Sequence, residues 1–243
     1  MKKSVIVSEK RLSRIGKYNP TDPCYKNLEI SPDTYQFSYA LLQQVMHQIS
    51  KESIQNELHK PDYQIIQMVK AVDDLIQSSN LLNERTSYWM QYDPRSNSIK
   101  RFEEVSNVMQ KEIDRLQENI KEEMSVLAPN LSTLIGPILA ARLLSLAGTM
   151  HRLSTMPAST IQILGAEKAF FRFKREGGKP PKHGVIYQHP LINNAARKHR
   201  GHFARTLALK IILAIRADFI TKRDISAELQ ICLDERIKEI KKQ

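Results

Sequence analysis

Two long stretches of the chain carry apolar residues at helical spacing, and the residues between them are mostly polar. The first stretch repeats in steps of four, three and four residues at Ile65, Val69, Val72 and Ile76. The second has charged residues on its other faces and apolar residues at Phe102, Met109, Ile113, Leu116, Ile120, Met124 and Leu127. A turn-forming segment, residues 93–98, separates them. This pattern predicts an antiparallel helical hairpin of coiled-coil type.

A shorter amphipathic stretch precedes the hairpin. Ser31-Pro32 is a typical helix start, and apolar residues follow at helical spacing at Phe37, Leu41, Val45 and Ile49. Residues 1–30 are polar and basic and show no helical period, so we interpret them as a basic tail. Residues 31–128 are therefore assigned to a helical region that contains the hairpin.

The rest of the chain also indicates helices. A helix capped by Asn130 is predicted to reach about Ala147 with a kink at Gly136-Pro137. Residues 201–219 are apolar nearly all round, which predicts a central buried helix. The other predicted elements are short helices over about 158–165 and 166–175, an extended segment over 183–188, and a last helix over about 221–242. That last helix carries Ile225, Leu229, Cys232 and Ile237 on one side. No long strand pattern is present, so the predicted fold is all-α.

Charge divides the 243-residue chain near Pro129. The chain has 37 Lys and Arg against 26 Asp and Glu, a formal net charge of +11. Between Pro129 and Arg223 lie 16 of the basic residues and only three of the acidic ones, a net charge of +13. This concentration predicts a polyanionic partner and marks residues 129–243 as a second domain.

The residue types argue against catalysis. The three carboxylates of the basic part, Glu167, Glu176 and Asp218, are too scattered to form a catalytic pair. No phosphate-binding glycine loop is present, and two cysteines cannot form a zinc site of Cys type. His199 and His202 are spaced for one helix face, but they fit a basic surface better than a metal site. We predict no enzyme activity, no metal and no cofactor, and no stretch is long enough to cross a membrane.

Nucleic-acid binding is better supported. Ten basic residues lie between Glu167 and Arg205, interleaved with aromatic side chains that can pack against a base or against the core. Arg200-Gly201 precedes a predicted helix, where free backbone N–H groups favour an anion, and Gly184 would let the backbone approach a ligand closely. A merely solvated basic face is the alternative. The density of charge favours a phosphate-binding surface.

Several motifs resemble the Nop domain, and they cover about 115 residues. They are APNLSTLIG (128–136), AARL (140–143), MPASTIQILGAEKAFFR (156–172), PKHGVIYQHP (181–190) and RGHFARTLALK (200–210), followed by AIRAD (214–218). Phe170 departs mildly from the family, which usually has Leu there. The last motifs are most similar to the archaeal branch. The helices before them, with Asp73-Asp74 and Trp89, also resemble the family.

The resemblance implies a helical Nop domain of a box C/D ribonucleoprotein, or of its spliceosomal relative. Such a domain recognises a kink-turn RNA together with a small kink-turn-binding protein. The RNA-contacting residues would be Lys168, Arg172, Lys179, Lys182, His183, Gln188, His189, Arg197, Lys198, Arg200, Gly201 and Arg205. The partner protein would contact Gly165, Ala166, Glu167, Phe171 and Tyr187. Arg216 would either support phosphate contacts or pair with Asp218 or a core carbonyl.

Two departures suggest a shortened form of the family. Residues 1–60 are too short and too helical to match the domain that holds the methyltransferase fibrillarin, and the hairpin is shorter than the usual dimerising coiled coil. Fibrillarin is therefore a doubtful partner. The implied location is cytoplasmic in an archaeal cell and nucleolar or nuclear in a eukaryotic one. A helical protein–protein adaptor with an incidental basic face is the alternative function.

Overall fold

The computed structural model describes residues 38–93 and 97–242, and within these residues it is helical without strands. The predicted all-α fold is thus confirmed. The chain divides into two compact units, Met1–Gln55 and Asn56–Gln243. The hairpin and the basic part fall in the second unit. The boundary predicted at residue 129 stays a prediction.

The first helix, α1 (Tyr39–Leu58), buries none of its side chains. The Ser38 hydroxyl accepts a hydrogen bond from the Leu41 N–H at 3.1 Å, as an N-cap residue does. The apolar positions at Leu41, Val45 and Ile49 are 49%, 44% and 57% exposed, so their helical spacing did not predict burial correctly. Ser31, Pro32 and Phe37, and the basic tail, lie outside the described residues.

The hairpin consists of α2 (Pro61–Met90) and α3 (Asn97–Leu127). Pro61 occupies the first turn of α2, where its missing N–H costs nothing. The predicted seam is buried at Ile65, Val69, Val72, Ile113, Ile120 and Met124. Away from the core the two helices also share polar contacts, such as the Ser106 hydroxyl donating to the Asn83 Oδ1 at 2.8 Å. The predicted hairpin is therefore present.

The helix predicted from Asn130 is two helices, α4 (Pro129–Ile135) and α5 (Pro137–Ala147), bent by 116° at Gly136. Gly136 has φ +84°, a conformation that favours glycine. The capping prediction for Asn130 is wrong. The carboxylate of Asp218 accepts bonds from the N–H groups of Asn130 and Leu131 at 3.0 and 2.9 Å, so a residue 88 positions away from Asn130 satisfies the start of α4.

Short elements connect α5 to the last two helices. They are α6 (Met150–Thr155), α7 (Ala158–Ile163), α8 (Glu167–Glu176), a 3₁₀ turn (Val185–Gln188) and α9 (Pro190–Asn193). The 3₁₀ turn corrects the extended segment predicted for 183–188. Ile186 is fully buried within this turn, which directs the chain back into the core.

The basic part ends in α10 (Arg200–Arg216), a π-helical turn (Ala217–Thr221) and α11 (Ser226–Lys242). α10 was predicted to be buried all round, but Leu209 and Leu213 are 51% and 45% exposed. α11 starts later than predicted because the π-helical turn runs to Thr221 and the next residue, Lys222, has φ +55° and interrupts the helix. Cys232 is exposed and Leu233 is buried instead, a shift of one residue in the predicted face.

No single helix of the described residues is long and apolar enough to cross a membrane. The bent pair α4 and α5 passes that test together, by length and composition only. In this fold most of their apolar side chains belong to the main core, where α5 contributes Leu139, Ala140, Ala141, Leu143, Leu144 and Ala147.

Candidate nucleic-acid interface

Two loop segments cross at the centre of the candidate interface. The Gly184 N–H donates to the Gln162 carbonyl and the Val185 N–H to the Leu164 carbonyl, both at 2.8 Å. The Gln162 side-chain amide in turn donates a hydrogen bond to the Lys182 carbonyl at 2.7 Å. A Cβ on Gly184 would stand 2.0 Å from the Leu164 carbonyl oxygen. Gly184 thus permits a close approach, but the approaching group is the protein's own backbone and no ligand.

A stack of side chains follows directly from this crossing. The His183 and Tyr187 rings lie parallel within 16°, with their centroids 4.5 Å apart. The guanidinium carbon of Arg200 lies 5.5 Å from the Tyr187 centroid, within cation–π range. The Lys182 side chain runs beside Gly201, since a Cβ there would be 3.7 Å from its Cδ. Five of the predicted site residues therefore meet in one place, which we call the His183 cluster: Lys182, His183, Tyr187, Arg200 and Gly201.

Burial and two neighbouring cations lower the pKa of His183. Partial burial has the largest effect, the positive charges of Arg200 and Lys182 lower the pKa further, and a hydrogen bond of the ring with the backbone of His183 itself opposes the shift. Because the ordinary pKa is 6.5 and this one is lower, the neutral form of the ring predominates at pH 7. It can therefore stack on a base or accept a hydrogen bond, and it adds no charge to the surface.

Arg200 is anchored inside the protein. Its Nε donates to the Ala195 carbonyl at 3.0 Å and its Nη2 to the Asn193 carbonyl at 3.3 Å. These bonds tie the start of α10 to the last residue of α9 and to the segment that follows it. The guanidinium is pre-oriented, but part of its donor capacity is used internally.

Gln188 and His189 also have internal partners. The Gln188 Oε1 accepts a bond from the Arg142 Nη1 at 2.8 Å, and Arg142 forms an ion pair with Asp73 of α2 at 3.4 Å. The His189 Nδ1 accepts from the Leu191 N–H at 3.3 Å, which caps α9. Burial lowers the pKa of His189, while a hydrogen bond with the Leu134 backbone opposes that shift. This ring is built into the fold more deeply than that of His183.

α8 carries an exposed amphipathic surface beside the crossing. The Glu167 carboxylate accepts a bond from the Gly165 N–H at 2.7 Å, which joins the glycine turn (φ +85° at Gly165) to the start of the helix. Lys168 and Arg172 are exposed on α8, and no side chain of this helix is fully buried. Phe171 is 60% exposed, whereas Phe170 and Phe173 are half-buried. An apolar side chain held at the surface between cations suits a protein contact next to a phosphate contact.

Comparison with known proteins identifies the family. A model described as the Nop snoRNA-binding domain, fibrillarin, matches residues 34–240. The chain belongs to the Nop family. It is similar to a NOP5 family protein of Methanocaldococcus jannaschii, 33% identical over 253 aligned positions that cover 80% of this chain and 61% of that protein. It is also similar to nucleolar protein 58 of Schizosaccharomyces pombe, 40% identical over 52% of this chain and 26% of the relative.

A solved structure supports the same fold. A chain in the crystal structure of a fibrillarin/Nop5p complex matches with a TM-score of 0.63 and 28% identity, over 94% of this chain and 90% of that one. The present chain spans about three fifths of the archaeal NOP5 relative and about a quarter or less of the nucleolar ones. The resemblance read from the motifs is thereby confirmed.

The other predicted site residues of this Nop domain lie outside the His183 cluster. Lys179 is exposed after α8, and Arg197 and Lys198 are exposed in the turn before α10. Arg205 lies on the exposed face of α10 beside His202 and Leu209, where it lines a different groove. Arg216 donates to the Ser154 carbonyl at 3.3 Å, which fits the alternative of a core carbonyl partner.

Arg142 was not predicted as part of the site. It connects the hairpin to Gln188 through the contacts described above. A signal was available, because Arg142 interrupts one of the most apolar stretches of the chain, and a cation in such a helix needs a partner. Among the described residues no cluster of three or more His, Cys, Asp or Glu side chains is placed to hold a metal ion.

Proposed function

We propose that this Nop-family chain is a non-catalytic scaffold of a box C/D-type ribonucleoprotein. It recognises a kink-turn RNA together with the small protein already bound to that RNA. The observation that carries the proposal is the His183 cluster, which presents Lys182 and a neutral, stacked His183 beside α8. The location that follows is the cytoplasm of an archaeal cell, or the nucleolus or nucleus of a eukaryotic one.

Phosphate contacts and protein contacts are divided between neighbouring elements in this proposal. Exposed cations such as Lys168, Arg172 and Lys182 contact phosphates and fix the orientation of the RNA, without reading its sequence. Gly165, Ala166 and Phe171 contact the small protein. Specificity then comes from the combined shape of RNA and protein, as is usual for structured RNA.

The decisive experiment compares binding to a kink-turn RNA with and without a kink-turn-binding protein, with a plain duplex of equal length as control. Binding should be tight only when RNA and small protein are both present. Equal weak binding to kink-turn and duplex under both conditions would refute recognition of a composite surface. Purified fibrillarin is added in a separate arm, which tests whether it joins the complex.

A helical adaptor is the second candidate function, and one observation favours it. The end of the hairpin exposes Tyr88, Trp89 and Tyr92, at 59%, 54% and 74%. Exposed aromatic side chains of this kind are typical of protein-binding surfaces. If the chain is only an adaptor, Lys182→Ala leaves partner capture intact, whereas a double substitution of Tyr88 and Trp89 by Ser abolishes it.

A further inference from the structure

A groove of about 770 Å³ runs between α10 and α11, lined by α10 residues outside the His183 cluster. Leu209, Ile212 and Leu213 of α10 and Ile240 of α11 supply its apolar lining. Arg205, which is predicted to contact RNA, lines this groove, as does Arg216, for which support of phosphate contacts was one of the alternatives; no residue of the His183 cluster lines it. Its chemistry is therefore separable from that of the proposed ribonucleoprotein site.

The open face of α10 conflicts with the composition of that helix. A helix that is apolar nearly all round is normally enclosed by protein. Here Leu209 and Leu213, one helical turn apart, remain 51% and 45% exposed within a concave surface. Single exposed leucines are common, but an adjacent pair in a groove is typical of a binding surface.

The two walls of the groove carry opposite charge. The α10 wall presents Arg205, Lys210 and Arg216, and α10 contains no acidic residue. The α11 wall presents Glu235, Arg236 and Glu239, and because Arg236 pairs with Glu239, Glu235 supplies the net negative charge. Arg205 and Arg216 are 11 residues apart, which corresponds to about 16 Å along the helix. A ligand that lies lengthwise in the groove thus meets only cations along the α10 wall, whereas the α11 wall carries two carboxylates and the Arg236 guanidinium.

We propose that this groove binds an amphipathic helix of a partner protein. The helix places apolar residues at i and i+4 spacing on Leu209 and Leu213, and it directs acidic side chains toward the α10 wall. This is the helix-in-groove mode of recognition.

The charges and the apolar lining decide against other occupants. A nucleic-acid backbone would leave Leu209 and Leu213 uncovered and would approach the carboxylates of the α11 wall. The basic segment 1–30 of this chain has the wrong charge to lie along the α10 wall. An acidic amphipathic helix satisfies both the charge and the apolar surface.

Cys232 provides a direct test, because its exposed thiol lines the groove. In a Cys24→Ser background, the rate of Cys232 alkylation by a maleimide is compared in the presence and absence of a synthetic helical peptide of about 18 residues. The peptide carries Leu at i and i+4 positions and Glu along one flank. At about 1 mM it should slow alkylation at least about fivefold, and an otherwise identical peptide with Lys in place of Glu should slow it less than about twofold.

Surface variants locate the effect. The pair Leu209→Gln and Leu213→Gln, and separately Lys210→Glu, should abolish protection by the acidic peptide. Ile231→Gln is the matched control, since Ile231 is 60% exposed on α11 but does not line the groove, and protection should survive there. All these variants should bind the kink-turn complex like the parent chain, so a failure of this proposal is distinguishable from a failure of the proposed function.

Four results would overturn the proposal. The first is no protection by either peptide, and the second is equal protection by both. The third is protection by kink-turn RNA in place of the peptide, which would make the groove an RNA surface. The fourth is protection that rises with protein concentration in the absence of peptide, which would identify a second copy of the chain as the occupant.

Discussion

Replacing Gly184 by alanine tests the crossing of the two loop segments on which the candidate interface is built. The added Cβ would lie 2.0 Å from the Leu164 carbonyl oxygen and 2.6 Å from the Ile163 carbonyl carbon. Both contacts are with backbone, which cannot move aside as the end of a flexible side chain can. The substitution therefore forces the two segments apart.

The cost follows from what the separation breaks. Separating the two segments breaks the two backbone hydrogen bonds that join them, each worth about 1 kcal/mol. It also introduces packing strain of about 1–3 kcal/mol. We expect Gly184→Ala to lower the free energy of unfolding by about 3 kcal/mol or more, and to weaken RNA–protein binding because Lys182 and His183 lose their positions.

The assay is urea unfolding followed by far-ultraviolet circular dichroism, with the change in midpoint converted through the slope. Gly201→Ala is the matched control. Its Cβ would meet only the Lys182 Cδ at 3.7 Å, and alanine favours the helix, so stability should stay equal or rise by up to about 1 kcal/mol. A Gly184→Ala protein within about 0.5 kcal/mol of the parent chain would refute the close backbone approach at Gly184.

Three further predictions concern other residues. Asp218→Asn should lower the free energy of unfolding by about 2 kcal/mol in thermal melts, because one amide oxygen cannot replace the two carboxylate oxygens that accept bonds from Asn130 and Leu131. Asp224→Asn is the control at an exposed loop position, and it should cost much less. Lys182→Ala should reduce the slope of log affinity against log salt by about 0.7–0.9 in RNA titrations; an unchanged slope would remove Lys182 from the phosphate contacts. Burial and nearby cations lower the pKa of His183 below 6.5, so its neutral form stabilises the fold above pH 6.5 and that contribution is lost as the pH falls through the lowered pKa. His183→Gln should flatten this part of a curve of stability against pH. An unaltered curve would contradict the burial of the ring.

The hairpin could be predicted because its structure depends on residues close in sequence. A seam that repeats at Ile65, Val69 and Val72 needs only a partner helix of the same pattern, and the short turn supplies it. The motif resemblance similarly identified the family. Both inferences use information that is local in the chain or carried by contiguous motifs.

The geometry of the interface could not be predicted in the same way. The conformation of residues 183–188 depends on carbonyl groups of Gln162 and Leu164, about 20 residues earlier. The start of α4 depends on Asp218, 88 positions from Asn130. Local propensity contains no information on such partners, and the extended segment and the Asn130 cap were wrong for that reason.

Periodicity alone also failed to separate buried from exposed apolar faces. On α11 the buried position is Leu233 and not the predicted Cys232, because a short amphipathic pattern fits two helix faces that differ by one residue. On α1 the spacing of Leu41, Val45 and Ile49 correctly indicates a helix, but burial requires a neighbour that the spacing does not specify.

The fold gives the basic residues of the candidate site unequal roles. A count of cations treats Arg200 and Lys182 alike, but the structure does not. Arg200 donates hydrogen bonds to two backbone carbonyl groups and lies over the Tyr187 ring, whereas Lys182 is exposed beside Gly201. Arg200 therefore acts first as a brace that keeps the stacked rings and the start of α10 together. Its replacement by alanine should damage the shape of the interface, so affinity should fall even at high salt, where a lost phosphate contact alone would matter little. Lys182→Ala should show the opposite behaviour, with its effect fading as salt rises. If both variants respond to salt in the same way, the division between brace and contact is wrong.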